Sequence, residues 1–177
     1  MRLDETRYYL KIAKDVSERS PCSRRKFGAV IVKNGGIIAT GYNGTIRGAI
    51  NCGEDVPCLK DLYEEESEKS YEYCPAVHAE ENAVIFAGKR DATGAVMYLS
   101  ASYGTAGRPC FKCRRKIWQA GIEKVIYLSG DNEIRIDLTE DYVRMENEWI
   151  MGLYEAKVSP EEIVRNHLNK EIGDENE

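Results

Sequence analysis

Residues 78–100, HAEENAVIFAGKRDATGAVMYLS, carry the pattern that decides the fold. The first part places apolar residues at helical spacing between Ala79 and Phe86, and Gly88 suits the end of that helix. Residues 96–100 form a short apolar, β-rich run that is typical of a buried strand. The segment therefore predicts a helix followed directly by a strand.

The same alternation continues on both sides of this segment. Downstream, residues 110–120 read as a helix closed by Gly121, and residues 124–128 read as a further strand. Upstream, the β-rich runs 27–32 and 37–40 are separated by Lys33-Asn34-Gly35-Gly36, a hairpin pattern, and residues 3–19 form an amphipathic helix. Alternating helices and strands predict a layered α/β domain.

Composition limits the classes of protein that fit. The chain has 177 residues, 42% of them hydrophobic and 31% charged, which suits one folded domain and excludes disorder of the whole chain. Its apolar runs fall short of the roughly 18 residues that a membrane span needs, and its N-terminus is too polar for a signal peptide. A net charge of -5 disfavours a polynucleotide partner. We expect a cytoplasmic protein without a membrane or polynucleotide partner.

The chain divides into a core and a C-terminal part. We predict a core over residues 1–130 and a helical extension over residues 131–177, with helices near 138–157 and 160–170. The extension carries an apolar stripe suited to packing on the core or to a subunit interface: Trp149, Ile150, Leu153 and Tyr154.

Cysteine and histidine are the most informative residues. The chain has six cysteines and two histidines. In a reducing compartment such cysteines serve metal binding or chemistry more often than disulfides. His78-Ala79-Glu80 precedes Pro109-Cys110-Phe111-Lys112-Cys113, and a shuffled chain of this composition would contain both motifs roughly once in a thousand.

These two motifs supply the parts of a catalytic zinc site. Such a site uses three protein ligands and leaves the fourth position to water, and His78, Cys110 and Cys113 provide three. A helix that begins near Cys110 puts both sulfurs on its first turn, where the positive helix end favours thiolates. Glu80 lies beside the zinc and can carry protons. A closed structural zinc site and a redox Cys-x-x-Cys are alternatives, and the presence of Glu80 weighs against both.

At these motifs the sequence resembles the deoxycytidylate (dCMP) deaminases of the zinc-dependent cytidine deaminase superfamily. The resemblance covers about residues 1–130 and rests on the segments 20–32, 39–44, 78–83, 109–113 and 119–122. It implies a three-layer α/β fold with a mixed five-stranded sheet flanked by helices. It also implies hydrolytic conversion of dCMP to dUMP with release of ammonia, a homo-oligomer and, in part of the family, dCTP and dTTP as effectors.

The resemblance assigns roles to individual residues. His78, Cys110 and Cys113 would hold the zinc, and Glu80 would move a proton from water to N3 and then to the leaving amine. The main chain of Ala79 and the side chain of Asn43 would contact the substrate, and one residue of the basic cluster Arg24, Arg25 and Lys26 would meet its phosphate. A turn role for Asn43 and a solvated basic turn are the alternatives.

The remaining cysteines fit a second site that some dCMP deaminases carry. A structural zinc there would be held by four thiolates and would order the long connection over residues 41–77. The corresponding residues are Cys22, Cys52, Cys58 and Cys74. Cys58 could instead be a small buried apolar residue.

One loop departs from the family pattern. The stretch between Ser100 and Pro109 is several residues longer than usual and lies beside the expected metal. Tyr103 or Arg108 in this loop could contact a substrate other than plain dCMP, and a surface bulge is the alternative. The competing functions are therefore deamination of another nucleotide, nucleoside or modified base, or nucleotide binding by a non-catalytic zinc-stabilised protein.

Overall fold

The computed structural model describes residues 2–63, 73–102, 107–129 and 133–155, together with residue 157. The chain forms two compact units, residues 1–139 and residues 140–177. Within the described residues, the first contains the sheet and four helices, and the second contains one helix, α5 (Asp141–Glu155). The division into a core over residues 1–130 and an extension over residues 131–177, packing on the core or at a subunit interface, stays a prediction.

The first unit is built on a mixed five-stranded sheet, as the sequence predicts. The strands lie in the order β2-β1-β3-β4-β5; β3 and β4 are parallel, and the other neighbours are antiparallel. The strands are β1 (Phe27–Lys33), β2 (Gly36–Tyr42), β3 (Val96–Ala101), β4 (Lys124–Leu128) and β5 (Ile134–Leu138).

The first two strands form the predicted hairpin. Asn34 and Gly35 connect them with φ angles of 52° and 74°. Two successive positive φ angles make the tight turn whose twist matches the flanking strands, and Asn-Gly adopts it with little strain. The hairpin prediction is confirmed.

Helices cover both faces of the sheet. The helices of this unit are α1 (Glu5–Ser17), α2 (Leu59–Leu62), α3 (Ala79–Ala92) and α4 (Phe111–Gln119). α1 approaches so closely that a Cβ on Gly28 would lie 2.0 Å from the Ala13 carbonyl oxygen. α3 approaches the other face, where a Cβ on Gly41 would lie 2.3 Å from the Ala79 carbonyl oxygen. The three-layer arrangement is confirmed.

The face under α1 holds a continuous apolar core. Its buried members come from α1 and from three adjacent strands: Tyr9, Leu10, Ala13, Val30, Val32, Tyr98 and Ile126. The Tyr9 hydroxyl donates a hydrogen bond to the Gly35 carbonyl and so ties α1 to the hairpin turn. Burial of these side chains holds α1 on the sheet.

Two elements differ from the sequence prediction. α3 continues to Ala92, and Gly88, with φ 68° and ψ 155°, interrupts it rather than ending it. Residues 134–138 form β5, an edge strand inside the stretch predicted as a helical extension. α5 matches the helix predicted near 138–157, and the helix predicted at 160–170 lies outside the described residues. None of the described helices is long and apolar enough to span a bilayer.

Candidate active site and metal centre

Two helix starts form the site. His78 is the N-cap residue of α3 and Cys110 is the N-cap residue of α4, and both have extended backbone conformations. Neither side chain makes a capping hydrogen bond to its own helix within the described ranges. Because these side chains are not used as caps, their nitrogen and sulfur atoms are available as ligands.

Neighbouring backbone contacts hold the start of α3 in place. Val77, just before His78, pairs with Gly44 through hydrogen bonds of 3.1 and 2.8 Å. One turn into the helix, the Asn82 side-chain amide donates to the Tyr42 carbonyl at 2.8 Å. The end of β2 and the residues after it therefore fix where His78 lies.

The start of α4 has its own support. The Arg114 guanidinium donates to the Pro109 carbonyl at 3.1 Å, which holds the segment that leads into Cys110. Lys116 of α4 forms an ion pair with Glu81 of α3. Neither contact is predictable from the sequence, because the spacing of these residues along the chain gives no signal for it.

The three predicted ligands come together. The ligand atoms of His78, Cys110 and Cys113 all lie within 4.8 Å of one another, and Nδ1 of His78 is 3.3 Å and 3.4 Å from the two sulfurs. Tetrahedral zinc, with Zn–N bonds of about 2.0 Å and Zn–S bonds of about 2.3 Å, separates nitrogen from sulfur by roughly 3.5 Å. The donor set and its spacing therefore fit zinc.

The ligands affect each other's protonation in the metal-free chain. The Cys113 thiol hydrogen-bonds the Cys110 sulfur and, together with His78, lowers the pKa of Cys110 to about 3. The same hydrogen bond and burial raise the pKa of Cys113. The hydrogen bond with Cys110 also raises the pKa of His78. The cluster thus carries negative charge on sulfur before metal binds, which favours a divalent cation.

Glu80 lies beside this cluster and is buried, with 8% of its surface exposed. Burial raises the pKa of its carboxyl group, while charge on His78 and a hydrogen bond with Cys113 oppose that shift. A buried carboxyl group with a raised pKa holds a proton more readily than an exposed one, which suits a group that accepts and returns a proton. The site therefore combines a metal-binding trio with an acid and base group.

Asn43 is held by the backbone. Its side-chain oxygen accepts a hydrogen bond from the Phe27 amide at 2.7 Å, and its side-chain nitrogen donates to the Arg25 carbonyl at 2.9 Å. The Ser20 hydroxyl donates a hydrogen bond to the main-chain carbonyl of Asn43 at 2.7 Å. Asn43 thus holds the residues that lead into β1 in place, and a substrate contact for its side chain stays a prediction.

Ala79, the other residue predicted to contact substrate through its main chain, is fully buried at the start of α3.

The charged candidates for substrate binding lie at different places. Arg25 is exposed and Lys26 is half-buried, whereas Arg24 pairs with Asp61. The Arg108 guanidinium donates to Asp137 of β5 at 3.2 Å. Tyr103 lies outside the described residues.

Cys52 lies near two of the other cysteines, Cys58 and Cys74. Burial raises the pKa of the Cys52 thiol, and its interactions with Cys58 and Cys74 raise that pKa further. The chain beside Cys52 also meets the segment that holds Cys22, because a Cβ on Gly53 would lie 2.7 Å from the Ser23 amide nitrogen. None of the four is in a disulfide, and the trio above is the one metal-type cluster that the described ranges contain.

A mixed sheet with a His/Cys/Cys group at two helix starts, next to a buried glutamate, defines a zinc-dependent hydrolytic enzyme. The sequence profile of the cytidine and deoxycytidylate deaminase zinc-binding region matches residues 3–129. The chain belongs to that family of deaminases.

Named relatives and solved structures agree with this membership. The chain is 38% identical over 126 residues to the deoxycytidylate deaminase of Schizosaccharomyces pombe, a match that covers 71% of this chain and 37% of the relative. It is 38% identical over 128 residues to the deoxycytidylate deaminase of Mycobacterium phage D29, covering 71% of this chain and 95% of the relative. The chain therefore matches little over a third of the yeast protein and almost all of the phage protein.

The fold is also that of a solved relative. The crystal structure of dCMP deaminase from the cyanophage S-TIM5 in complex with dCMP and dUMP is 28% identical, with a TM-score of 0.54, and the match covers 82% of this chain and 93% of that chain. The apo form of the same enzyme is 30% identical, with a TM-score of 0.53, covering 73% and 86% of the two chains.

Proposed function

We propose that this protein converts dCMP to dUMP by hydrolytic removal of the C4 amino group, with release of ammonia. The observation that carries the proposal is the buried Glu80 carboxyl beside His78, Cys110 and Cys113. The choice of dCMP is supported by relatives named deoxycytidylate deaminase and by the similar structure solved with dCMP and dUMP.

The chain's residues divide the chemistry between them. His78, Cys110 and Cys113 would hold the zinc, which would lower the pKa of a water molecule toward neutrality. Glu80 accepts the proton that water loses, delivers it to N3 of the ring and later protonates the amine that leaves as ammonia. Water supplies the oxygen that replaces the amine, so that dCMP and water give dUMP and ammonia.

Substrate contacts complete the proposal. The main chain of Ala79 and the side chain of Asn43 meet the base and sugar, and Arg25 or Lys26 meets the 5′-phosphate as a charge-assisted hydrogen-bond donor. Tyr103 or Arg108 would add a contact from the loop between Ser100 and Pro109, most directly for a substrate other than plain dCMP. The exposure of Arg25 and the half-buried position of Lys26 leave both side chains accessible to an anion.

The test of the reaction is the variant Glu80→Gln, which keeps the size of the side chain and removes its acid and base function. We expect zinc content near that of the wild type and loss of ammonia release from dCMP. Equal loss of zinc would make Glu80 structural. A panel of cytosine, methylcytosine, adenine and guanine nucleotides and nucleosides tests the substrate, and turnover of another member in preference to dCMP would contradict that assignment.

We also propose a second, structural zinc held by Cys22, Cys52, Cys58 and Cys74. The proximity of Cys52 to Cys58 and Cys74 supports it, as does the contact of Gly53 with the segment next to Cys22. Metal analysis should then find about two zinc ions per chain, and Cys52→Ser should remove one of them. A single zinc that survives Cys52→Ser would rule out the second site.

Further proposals concern assembly and control. We propose a cytoplasmic homo-oligomer, in which residues 131–177 pack on the core or at a subunit interface, and regulation by dCTP and dTTP. Exposed apolar side chains on α3, Ile85 at 67% and Phe86 at 58%, support a subunit contact. Sedimentation of the wild type and of Ile85→Glu tests the oligomer, and dCMP assays with each effector test the regulation.

A further inference from the structure

A cavity of about 560 Å³ lies between α1 and the carboxyl ends of β3 and β4, beside the start of β5. It is lined by side chains of all four elements and of the residue before β5: Arg7, Leu10, Lys11, Lys14, Ser100, Leu128, Glu133 and Ile134. The cavity opens widely to solvent, and its volume falls within the range of small-molecule sites, roughly 300 to 1,000 Å³.

The cavity lies on the face of the sheet opposite the metal centre. Ser100 pairs with Gly28 across β3 and β1, so both residues point to the same face, and that face is the one on which α1 packs. The opposite face of the sheet, toward which Gly41 is oriented, carries α3 and with it His78 and Glu80. A ligand in this cavity is therefore separated from the deaminase chemistry by the sheet.

The cavity combines an apolar wall with a cationic rim. Leu10, Leu128 and Ile134 supply the apolar part. Lys11 and Lys14 stand at the rim on consecutive turns of α1, and neither has an ion-pair partner within the part of the chain that is described. The rim is therefore locally positive although the net charge of the chain is -5.

Other charges at the cavity are already paired. Arg7 forms an ion pair with Asp4, and Glu133, the acidic residue of the lining, forms one with Arg135. The two lysines therefore leave the rim with unpaired positive charge, which an anion would balance.

Ser100 supplies a polar group to the wall of the cavity. Its residue surface is only 2% exposed and its side chain lines the cavity. No buried side-chain oxygen or nitrogen of the described residues lacks a hydrogen-bond partner, so the Ser100 hydroxyl, for which the described ranges give no partner, is accessible from the cavity. It can therefore hydrogen-bond a polar atom of a bound molecule in place of water.

We propose that this cavity binds a mononucleotide-sized organic phosphate. The planar, largely apolar part of the molecule packs against Leu10, Leu128 and Ile134, and its phosphate lies at Lys11 and Lys14. A polar atom on its ring or sugar hydrogen-bonds the Ser100 hydroxyl.

The test uses AMP as the probe and isothermal titration calorimetry of the full chain at low salt. We expect AMP to bind, Lys11→Ala/Lys14→Ala to weaken that binding about ten-fold or more, and Ser100→Ala to weaken it about three-fold. The matched control is Lys89→Ala/Arg90→Ala, which removes two exposed charges from α3 and should change the affinity less than about two-fold. Adenosine, which lacks the phosphate, should bind about ten-fold more weakly than AMP.

Four outcomes would overturn the proposal: no AMP binding, equal affinity in the α1 double variant and the wild type, binding of inorganic phosphate as tight as that of AMP, or loss of AMP binding in Glu80→Gln. The last would place the probe in the catalytic centre. Both lysines are exposed on α1, so the double variant should keep the wild-type circular dichroism spectrum and melting temperature. Because the readout is binding, failure of dCMP turnover would leave this result unchanged.

Discussion

Glu81 of α3 and Lys116 of α4 form an ion pair that joins the two helices whose first residues carry the metal ligands. Glu81 follows Glu80 directly, and Lys116 lies one helical turn beyond Cys113. The side chains are 29% and 43% exposed, so water screens the pair and its contribution to stability is at most about 1 kcal/mol. We therefore expect the ion pair to matter mainly by holding His78 and Cys113 in position relative to each other.

We predict that Lys116→Met weakens zinc binding about three-fold, within the roughly five-fold that 1 kcal/mol allows, while the melting temperature of the zinc-free protein changes little. The reason is that the pair aligns the two helix starts that the metal bridges. Competition with a zinc chelator measures the affinity. Glu81→Gln should have a similar effect, and the double variant should be no worse than either single one; additive losses would show that the two residues act independently.

The close approach of α3 to β2 gives a second prediction. A Cβ on Gly41 would lie 2.3 Å from the Ala79 carbonyl oxygen and 2.5 Å from the Ala83 amide nitrogen, both of them backbone atoms that cannot turn aside. Gly41→Ala should therefore push α3 away, lower the free energy of unfolding by about 2 kcal/mol or more and reduce activity. Urea unfolding and the dCMP assay measure these effects.

Gly36→Ala is the matched control, because it adds the same methyl group to the same strand with its nearest contact at 3.7 Å. It should leave activity unchanged. If both variants lose activity equally, the defect lies in β2 itself and the contact with α3 is not the cause.

Local patterns in the sequence predict most of this fold. α1, the β1 and β2 hairpin, β3 and β4 come from apolar periodicity and turn chemistry, which depend on near neighbours in the chain. The ligand trio was predictable for the same reason, because each motif is short and begins a helix. Gly88 was misread, since its positive φ satisfies a helix-end signal although the helix resumes after it.

The remainder depends on contacts between distant segments. Residues 134–138, IRIDL, alternate apolar and charged residues as a half-buried strand does, but only pairing with β4 makes them an edge strand. The Glu81 and Lys116 pair depends on how two helices lie against each other, which no spacing in the chain records. The backbone role of Asn43 likewise needs the position of residues 25–27.

The His78 and Cys110 contact makes the stability of the zinc-free protein depend on pH. The hydrogen bond with Cys110 raises the pKa of His78 in the folded chain above its ordinary value. His78 therefore contributes stability that is fully present below about pH 6.5 and is lost as the pH rises through the raised pKa. Zinc removal is essential here, because a metal-bound imidazole cannot take up this proton.

We predict that the difference in free energy of unfolding between the zinc-free wild type and zinc-free His78→Gln is larger at pH 6 than at pH 9. Urea unfolding at a series of pH values, with a chelator present, measures it. The Cys110 and Cys113 hydrogen bond remains in both proteins and largely cancels in the comparison. A difference that stays constant, or that grows with pH, would contradict the hydrogen bond as the cause of the shift.

The hydrogen bonds of Asn43 predict a structural cost on substitution. Asn43→Ala leaves the Phe27 amide and the Arg25 carbonyl without their side-chain partner, which should lower the free energy of unfolding by about 1 to 3 kcal/mol. Asn43→Asp keeps the acceptor for Phe27 and loses the donor to Arg25, and should fall between wild type and Asn43→Ala. If Asn43→Ala unfolds like the wild type while its KM for dCMP rises, the side chain serves the substrate alone.

The position of Arg108 allows its proposed substrate contact to be separated from its packing role. Its guanidinium donates to one oxygen of Asp137, and the Tyr127 hydroxyl donates to the other, so Asp137 joins the segment before Cys110 to β4 and β5. Asp137→Asn removes the charge that Arg108 pairs with and leaves the arginine in place. Arg108→Ala removes the arginine itself, together with any contact that it makes to substrate.

We predict that Arg108→Ala raises KM for dCMP about ten-fold, whereas Asp137→Asn raises it about three-fold or less, with similar losses of melting temperature in the two variants. The physical reason is that both variants weaken the same ion pair but only one removes a cation that a substrate anion can meet. Steady-state kinetics with dCMP and with deoxycytidine measure the KM of each variant and so separate the substrate contact from the packing role. An equal rise of KM in both variants would confine Arg108 to holding the segment before Cys110.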